Sequence, residues 1–478
     1  MNTKLGILRP KIQVLDEDYK IKVFTEAKDI LETLGIFLEN EEAQELFNNQ
    51  GIAHEGSRYF IPSDLVEKCL KTVPNEIKLY DREGNEHITL GGDNVHFDPG
   101  SAAILYFDET TGEIRSAVKE DFIRFTKVVE HLRYIEAQST ALIYQDVPKD
   151  AQDWHRLYIA LANCHKPVVT GTFRKESFAI MKELLLTCRV SEDDLARKPL
   201  AIFDACPSPP LKWSDLTTQS LIDAAVSMIP SEFVSMPLAG ASAPMSLIGS
   251  ITQHCAECLT GVVIGQLTKK GAPLIWGGSP AILDMKQGTT PMGAIETMMI
   301  NMGDVEMGKF LKLPTHAYMS LSDSKVPDTQ AGFEGGMGAL LAGLAGVNMV
   351  SGPGMLDFES TQSIEKLMID NEIVGMVKRL LRGVEDYGSP FASDILKDYD
   401  NKEELLSHPS TLKLFRKELF MAGPIIDRLS RDMWIASGSK SARKRAKEQA
   451  SKLVNKGSLR PIDDILAKEL EDASIKHL

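Results

Sequence analysis

The segment THAYMSLSDSKVPDTQAGFEGGMGALLAGLAGVNMVSGPGML, residues 315–356, contains the pattern on which the fold depends. An apolar run, Thr315–Leu321, is followed by a polar stretch rich in turn residues, then by a helical stretch rich in Gly and Ala, and then by a second apolar run, Val347–Val350. Two such runs joined through a helix predict parallel strands, because a parallel pair needs a crossover of a dozen or more residues. The segment therefore predicts one strand–helix–strand unit of an α/β protein.

The same pattern of an apolar run, turn residues and a helical stretch recurs along most of the chain. The predicted strands are Ala102–Phe107, Tyr134–Leu142, Pro167–Phe173, Pro199–Ala205, Phe233–Leu238, Pro273–Trp276, Thr315–Leu321 and Val347–Val350. Eight strand–helix units predict a (β/α)8 TIM barrel, whose reaction centre lies where the strands end. We expect a small N-terminal α+β cap over residues 1–93, the barrel over 94–388, and a C-terminal helical extension over 389–478.

Charge and composition narrow the class of protein. A net charge of −14 and a pI near 5.3 argue against a nucleic-acid binder, which needs a basic face. Six cysteines without a disulfide framework and an N-terminus without a signal-peptide core predict a cytoplasmic protein. The uncharged stretches 233–256 and 335–356 are rich in Gly, Pro, Ser and Ala, which favours buried strand–helix units over membrane spans. We expect a small-molecule substrate, a protein partner and a homo-oligomer, with no nucleic acid and no membrane.

The sequence offers few motifs for metal, nucleotide or nucleophilic chemistry. Cys255-x-x-Cys258 beside His254 suggests a metal or redox site, but the surrounding residues have helical periodicity and no second ligand pair follows, which favours core packing. No H-E-x-x-H, Walker, dinucleotide-binding or nucleophile-elbow sequence is present. We therefore expect neither a bound metal nor a nucleotide.

Aromatic residues at or near the strand ends are more informative. They are Phe97, Tyr106, Phe173, Phe203, Trp276, Tyr318 and Phe358. A cage of aromatic faces attracts a quaternary ammonium by ~0.5 to 2 kcal/mol per ring, without offering hydrogen bonds that such a cation cannot use. The alternative is that these rings are ordinary core residues. His316, inside a predicted strand, is either a binding residue or a hydrogen-bonded interior histidine.

Three segments carry a resemblance to a known family: FDPGSAA (97–103), DETTGEIRSA (108–117) and SDSKVPDTQAGFEGG (322–336). With them, nearly the whole chain resembles the trimethylamine methyltransferase superfamily. In its pyrrolysine-containing members the unusual residue follows a glutamate, and here that place is Gly335, after Glu334. The chain is thus similar to the non-pyrrolysine branch, the glycine betaine and proline betaine type of corrinoid methyltransferase.

The resemblance implies transfer of a methyl group from a quaternary amine to the Co(I) cobalamin of a separate corrinoid carrier protein. A quaternary ammonium already leaves as a neutral amine, so the enzyme needs to supply position rather than an acid or base, with Glu334 and Gly335 as positioning residues. A betaine also needs an anchor for its carboxylate, and the candidates are Lys325, Lys286, Lys212, Arg174 and His316. The alternatives are a non-catalytic corrinoid- or amine-binding barrel and a zinc-dependent corrinoid methyltransferase.

Overall fold

The computed structural model describes residues 8–400 and 404–477 and contains a parallel eight-stranded barrel. Its strands are β1 His96–Asp98, β2 Gln138–Ser139, β3 Val168–Thr170, β4 Ala201–Ala205, β5 Ser231–Phe233, β6 Leu274–Gly278, β7 Thr315–Tyr318 and β8 Met349–Ser351. From β2 to β8 each strand pairs in parallel with the next one, and β8 pairs in parallel with β1. The backbone N–H of Glu136 donates to Phe97 O over 2.8 Å and brings the segment before β2 to β1. The predicted (β/α)8 barrel is confirmed.

A helix follows each barrel strand, and the short helix Glu192–Arg197 is a second one after β3. The other helices are α1 Lys119–His131, α2 Gln152–Asn163, α3 Ser177–Thr187, α4 Asp215–Val226, α5 Leu247–Thr268, α6 Ile295–Phe310, α7 Thr329–Ala345 and α8 Ile364–Leu381. In the opening segment, Asp328 caps α7 by accepting the N–H of Ala331, and Gly346 ends it with φ 78°. The N-cap and the C-terminal glycine thus fix the length of the crossover.

The prediction of the first barrel strand is wrong. Leu105–Phe107, within the predicted run Ala102–Phe107, pairs with Ile114–Ser116 and with Thr361–Gln362 in a separate four-stranded sheet. The true strand, His96–Asp98, has only three residues and two of them are polar or charged, so it lacks an apolar run that would mark it.

The N-terminal segment closes the barrel at one end. The hairpin Ile77–Tyr80 with Glu86–Leu90 buries its apolar side chains against residues inside the barrel, among them Ile202, Ile275 and Met349. The reaction-centre end, where the strands finish, is therefore the only end of the barrel that the described hairpin leaves open. The other N-terminal elements are Glu17–Thr33, Ile36–Leu38, Glu41–Asn49, His54–Glu55, Arg58–Tyr59 and Ser63–Leu70.

Short helices follow the barrel. They are Ser393–Asp400, Pro409–Glu418, Arg431–Ala436, Ala442–Val454 and Asp464–Ile475. Ala442–Val454 packs on α8 and α1, and Asp464–Ile475 packs on α2 and α3. The domain limits at 93/94 and 388/389 stay predictions, and residues 1–7, 401–403 and 478 of the terminal segments lie outside the described residues.

Helix α5 is the one described helix that is long and apolar enough to cross a membrane. Of its most apolar window, 83% is buried inside the protein, against neighbouring helices and barrel strands. The apolar character of α5 is accounted for by this burial. The helix overlaps the second half of the uncharged stretch 233–256, which was predicted to be buried.

Candidate active site

A cavity of about 260 Å³ lies at the carboxyl ends of the barrel strands. Its wall consists of Ser101, Ala102, Thr140, Arg156, Gly171, Phe173, Asp204, Cys206, Pro207, Val234, Met236, Ser279, Tyr318 and Glu359. These residues come from the ends of seven strands, from the loop after β8 and from α2. Convergence of so many strand ends on one small cavity is typical of the reaction centre of this fold.

Two carboxyl groups stand side by side at the inner end of the cavity. Asp204 and Glu232 are register partners on β4 and β5, so both side chains point into the barrel. Burial raises the pKa of Asp204 to about 6 and raises that of Glu232 well above its usual range, with repulsion from Asp204 adding to the second shift. No described donor reaches either oxygen of Glu232 or Oδ1 of Asp204. Because burial and mutual repulsion keep both carboxyls from ionising together, the pair shares one proton and carries one negative charge near neutral pH.

His316 lies below the cavity rather than in its wall. Its Nε2 is 3.0 Å from Ser351 Oγ and 3.5 Å from Glu232 Oε1, and Ser351 Oγ in turn donates to Asp98 Oδ1 over 2.6 Å. Burial lowers the pKa of His316 to about 3 and raises that of Asp98. His316 is therefore a neutral interior histidine near neutral pH, which was the second of the two predicted readings, and it has no charge with which to anchor a carboxylate.

Glu359 reaches the cavity from a strained loop after β8. Asp357, Phe358 and Glu359 have φ values of 51°, 54° and 70°, and three consecutive non-glycine residues in this region cost of order 1–3 kcal/mol each. Such strain persists where the surrounding structure fixes the backbone, often at functional sites. Ser279 Oγ donates to Glu359 Oε1 over 3.1 Å, and burial raises the pKa of Glu359 to about 8. The loop therefore holds a further carboxyl group at the cavity, in addition to Asp204 and Glu232.

Two of the predicted aromatic residues, Phe173 and Tyr318, are brought together in the cavity wall. Phe173 is 42% exposed, and the Arg156 guanidinium lies over its ring at 4.5 Å from the centroid. The Tyr318 hydroxyl donates to Ser101 O over 2.8 Å and is therefore fixed in place. The predicted aromatic cage thus reduces to two rings at this cavity.

The other strand-end rings face away from the cavity. Trp276 Nε1 donates to Asp304 O on α6, and Phe203 packs on Phe178 of α3 with ring centroids 4.8 Å apart. Both alternate with inward-facing neighbours on their strands, so they point toward the surrounding helices. The structure therefore does not bring Trp276 and Phe203 into the cavity wall.

Phe97 and Tyr106 are also outside the cavity wall. Phe97 is fully buried in β1, within the main core. Tyr106 belongs to the separate four-stranded sheet, where its hydroxyl donates to Glu109 Oε2 over 2.6 Å. The structure therefore does not bring these two rings to Phe173 and Tyr318.

Lys325 and Phe358 lie together, but outside the cavity wall. Lys325 Nζ lies 3.8 Å from the Phe358 ring centroid and donates to Asp323 O over 2.8 Å. Lys325 lies in the loop after β7 and Phe358 in the loop after β8, so the pair is on the same side of the barrel as the cavity.

The three other basic candidates for a carboxylate anchor are also placed outside the wall. Lys212 forms a 2.5 Å ion pair with Glu39 of the N-terminal segment. Arg174 lies 3.6 Å from Asp150 and 3.6 Å from Glu176, and Lys286 is exposed in the loop after β6. None of these cations lines the cavity.

Gly335 and Glu334 lie in α7 and face other protein groups. A Cβ at Gly335 would lie 3.1 Å from Asp370 Oδ1 and 3.2 Å from Lys366 Nζ, a buried ion pair of α8. Glu334 accepts from Ser322 Oγ over 2.5 Å and from the Asp323 N–H over 2.9 Å. The space at Gly335 therefore belongs to the contact between α7 and α8, and Gly335 does not line the cavity. Glu334 holds the loop after β7.

Cys255 and Cys258 are buried in α5, and burial raises the pKa of both thiols. His254 Nδ1 is 3.4 Å from Asp304 Oδ1, and the Cys258 thiol is 3.5 Å from Gly277 O. Within residues 8–400 and 404–477, no three or more His, Cys, Asp or Glu residues form a group suited to a metal ion. The two cysteines thus pack the core as protonated thiols.

The three charged residues of the wall, Arg156, Asp204 and Glu359, were missed at the sequence level. Asp204 had a usable signal, because it is a carboxylate at the end of the apolar run AIFDA, where the fold places its reaction centre. Arg156 lies on a helix, and Glu359 depends on an unusual backbone conformation, so neither had a comparable signal.

Comparison with known proteins agrees with this architecture. Residues 4–477 match the family described as trimethylamine methyltransferase (MTTB). The trimethylamine methyltransferase MttB of Desulfitobacterium hafniense is 29% identical over 450 residues, 94% of this chain and 90% of that protein. A glycine betaine methyltransferase of the same species is 29% identical over 432 residues, 90% of each chain.

Among solved structures, the monomethylamine methyltransferase of Methanosarcina barkeri is similar in fold. It has a TM-score of 0.55 and 10% sequence identity, and the match covers 93% of this chain and 88% of that one. The family match over nearly the whole chain and the shared barrel lead to one conclusion: this chain is a methyltransferase of the trimethylamine methyltransferase family.

Proposed function

We propose that the protein transfers a methyl group from a quaternary amine, a betaine such as glycine betaine or proline betaine, to the Co(I) cobalamin of a corrinoid carrier protein. The observation that carries this proposal is the carboxyl pair Asp204–Glu232 beneath a cavity whose wall includes Phe173 and Tyr318. A negative charge below and aromatic faces at the sides suit a cation that donates no hydrogen bond.

The protein's part in this reaction is to bind and orient the amine. A quaternary nitrogen becomes a neutral tertiary amine when it loses a methyl group, so no residue has to protonate or activate it first. The bound Co(I) corrinoid supplies the nucleophile. The N-methyl group is held in one place by the fixed Tyr318 hydroxyl, the rigid strand ends and the small cavity, which also excludes water. Binding of the amine thus orients its methyl group for transfer.

The rim of the cavity fits a docked protein. Exposed apolar side chains occur on loops after four different strands, at Ile104, Phe173, Met245 and Met285. Exposed apolar residues grouped around a mouth favour a protein partner over open solvent. These residues would contact the carrier and place its corrinoid above the cavity.

The relatives support both tertiary and quaternary amines as substrates of the family. One is named for trimethylamine and another for glycine betaine, at the same 29% identity. Gly335 follows Glu334 where the resemblance implies pyrrolysine in the trimethylamine enzymes, and this favours the quaternary-amine branch. We also propose that the protein is cytoplasmic and forms a homo-oligomer. The exposed apolar side chains of Phe333 and Met337 on α7 support self-association.

The experiment is methyl transfer from a panel of quaternary amines to reduced cobalamin, followed by loss of the Co(I) absorbance. Free cobalamin and the native carrier are compared. Loss of Co(I) with a betaine, and release of the matching tertiary amine, supports the proposal. Tight amine binding without transfer to any corrinoid would favour the non-catalytic barrel. Transfer that stops on zinc removal and returns on zinc addition would favour the zinc-dependent alternative.

A further inference from the structure

Arg156 is a buried cation without an anionic partner. It lies on α2, is 1% exposed, and forms no ion pair within 4 Å with a carboxylate of the described residues. Burying an unpaired charge is strongly unfavourable, so arginine is rarely buried unless it is paired. An unpaired buried guanidinium in the wall of a cavity therefore points to an anionic ligand.

The surroundings of Arg156 fix its orientation. Nε donates to Gln152 O over 3.0 Å, and Nη1 donates to Thr140 O over 2.7 Å. Nη2 has no hydrogen-bond partner among the described residues. The planar group also stacks over Phe173, at 4.5 Å from the ring centroid. Two backbone carbonyls and one ring thus hold the guanidinium still and leave one nitrogen for a ligand.

The cavity wall carries charges of both signs that form no ion pair with one another. Arg156 is the one basic residue among the described residues of the wall, and Asp204 and Glu359 are its two carboxyl groups. Burial lowers the pKa of Arg156 to about 10, while attraction by Tyr144, Asp153 and Asp204 opposes this, so the side chain stays cationic at neutral pH. Asp204 interacts with Arg156 through space and does not form an ion pair with it.

We infer that Arg156 binds the carboxylate of a zwitterionic substrate, while the Asp204–Glu232 pair and Tyr318 face its quaternary nitrogen. The inference rests on the proposed function and adds the group that selects betaines over quaternary amines without an anionic arm. A ligand carrying both charges complements the cationic and the anionic groups at the cavity, and a plain quaternary amine leaves Arg156 unpaired.

The test compares binding of glycine betaine and tetramethylammonium by calorimetry in the parent, Arg156→Met and Arg156→Lys. Arg156→Met should weaken betaine binding about 10- to 100-fold, the range for hydrogen bonds to charged groups, and should weaken tetramethylammonium binding far less. Arg156→Lys keeps the charge and should recover part of the loss. Arg174→Met is the matched control, because Arg174 is an exposed arginine near the rim that pairs with Asp150 and Glu176; it should leave both affinities close to those of the parent.

The ratio of the two affinities is the readout, since a merely structural role would lower both together. The inference would be overturned if Arg156→Met lost affinity for both ligands equally while melting at the same temperature as the parent. It would also be overturned if Arg156→Met lost no betaine affinity. A parent that transfers methyl groups from tetramethylammonium or choline better than from any betaine would overturn it while leaving the proposed function intact. A parent that transfers no methyl group from any quaternary amine would overturn both.

Discussion

Replacing Asp204 by Asn should weaken cation binding and stabilise the fold at the same time. The substitution keeps the shape of the side chain and removes its ionisable group from the cavity. A unit charge ~5 Å from a quaternary nitrogen contributes about 3 kcal/mol at an effective dielectric constant of ~20, and less where water enters. We therefore expect tetramethylammonium affinity to fall about 10- to 100-fold at pH 8.

Ionisation of Asp204 strengthens cation binding but lowers the stability of the fold. Burial raises the pKa of Asp204 from 3.8 to about 6, so the folded state holds a proton that the unfolded state has lost. Stability therefore falls as pH rises from about 4 to about 6, and the loss persists above pH 6. Asp204→Asn lacks this penalty and should melt at a higher temperature than the parent at pH 8.

Titration calorimetry between pH 5 and 9 with tetramethylammonium checks the binding, because this ligand has no titratable group. Parent affinity should fall as pH drops through about 8, where Glu359 gains its proton, and again through about 6. Asp204→Asn should remove the lower step and Glu359→Gln the upper one. Asp150→Asn, an exposed carboxylate outside the wall, is the control. A flat profile in the parent, or an Asp204→Asn variant that binds normally and melts earlier, would refute the reasoning.

Two further predictions separate the cavity from the core. Phe173→Ala should weaken quaternary-amine binding about 3- to 20-fold with little change in melting temperature, whereas Trp276→Ala should cost about 3–5 kcal/mol of folding stability. Calorimetry and thermal melts of both variants measure these effects, and the reverse pattern would show that Trp276 belongs to the binding site. Gly335→Leu should destabilise the protein by about 1–3 kcal/mol, because the new side chain meets the Lys366–Asp370 pair. Gly336→Ala is the control and should not destabilise the protein, because a Cβ at Gly336 meets nothing within 4 Å. Equal stability of the two variants in thermal melts would contradict the packing account.

The barrel was predictable from the sequence because most of its strands are apolar runs followed by turns and helices. Leu274–Gly278 and Met349–Ser351 each overlap such a run closely. His96–Asp98 was missed because a three-residue strand with two polar or charged residues carries too little periodicity, and the neighbouring run at Leu105–Phe107 is a strand of another sheet. Apolar periodicity indicates that a segment is a strand, but it does not indicate which other strand that segment pairs with.

The candidate site was less predictable, because its residues are defined by the direction in which side chains point. Phe203 and Asp204 are adjacent in sequence, yet one faces α3 and the other lines the cavity. A one-residue change in register exchanges such a pair, and sequence periodicity does not fix register to that precision. Arg156 was missed for a different reason, since it reaches the strand ends from a helix.

The measurement that tests the account most directly is single-turnover methyl transfer to Co(I) cobalamin with a betaine and with trimethylamine, each at matched concentration and with the released amine identified by NMR. The account predicts loss of Co(I) with one equivalent of tertiary amine released from the betaine, and no reaction with trimethylamine. Transfer from trimethylamine as fast as from the best betaine would contradict it, because no group of the described cavity is assigned to activate a tertiary amine.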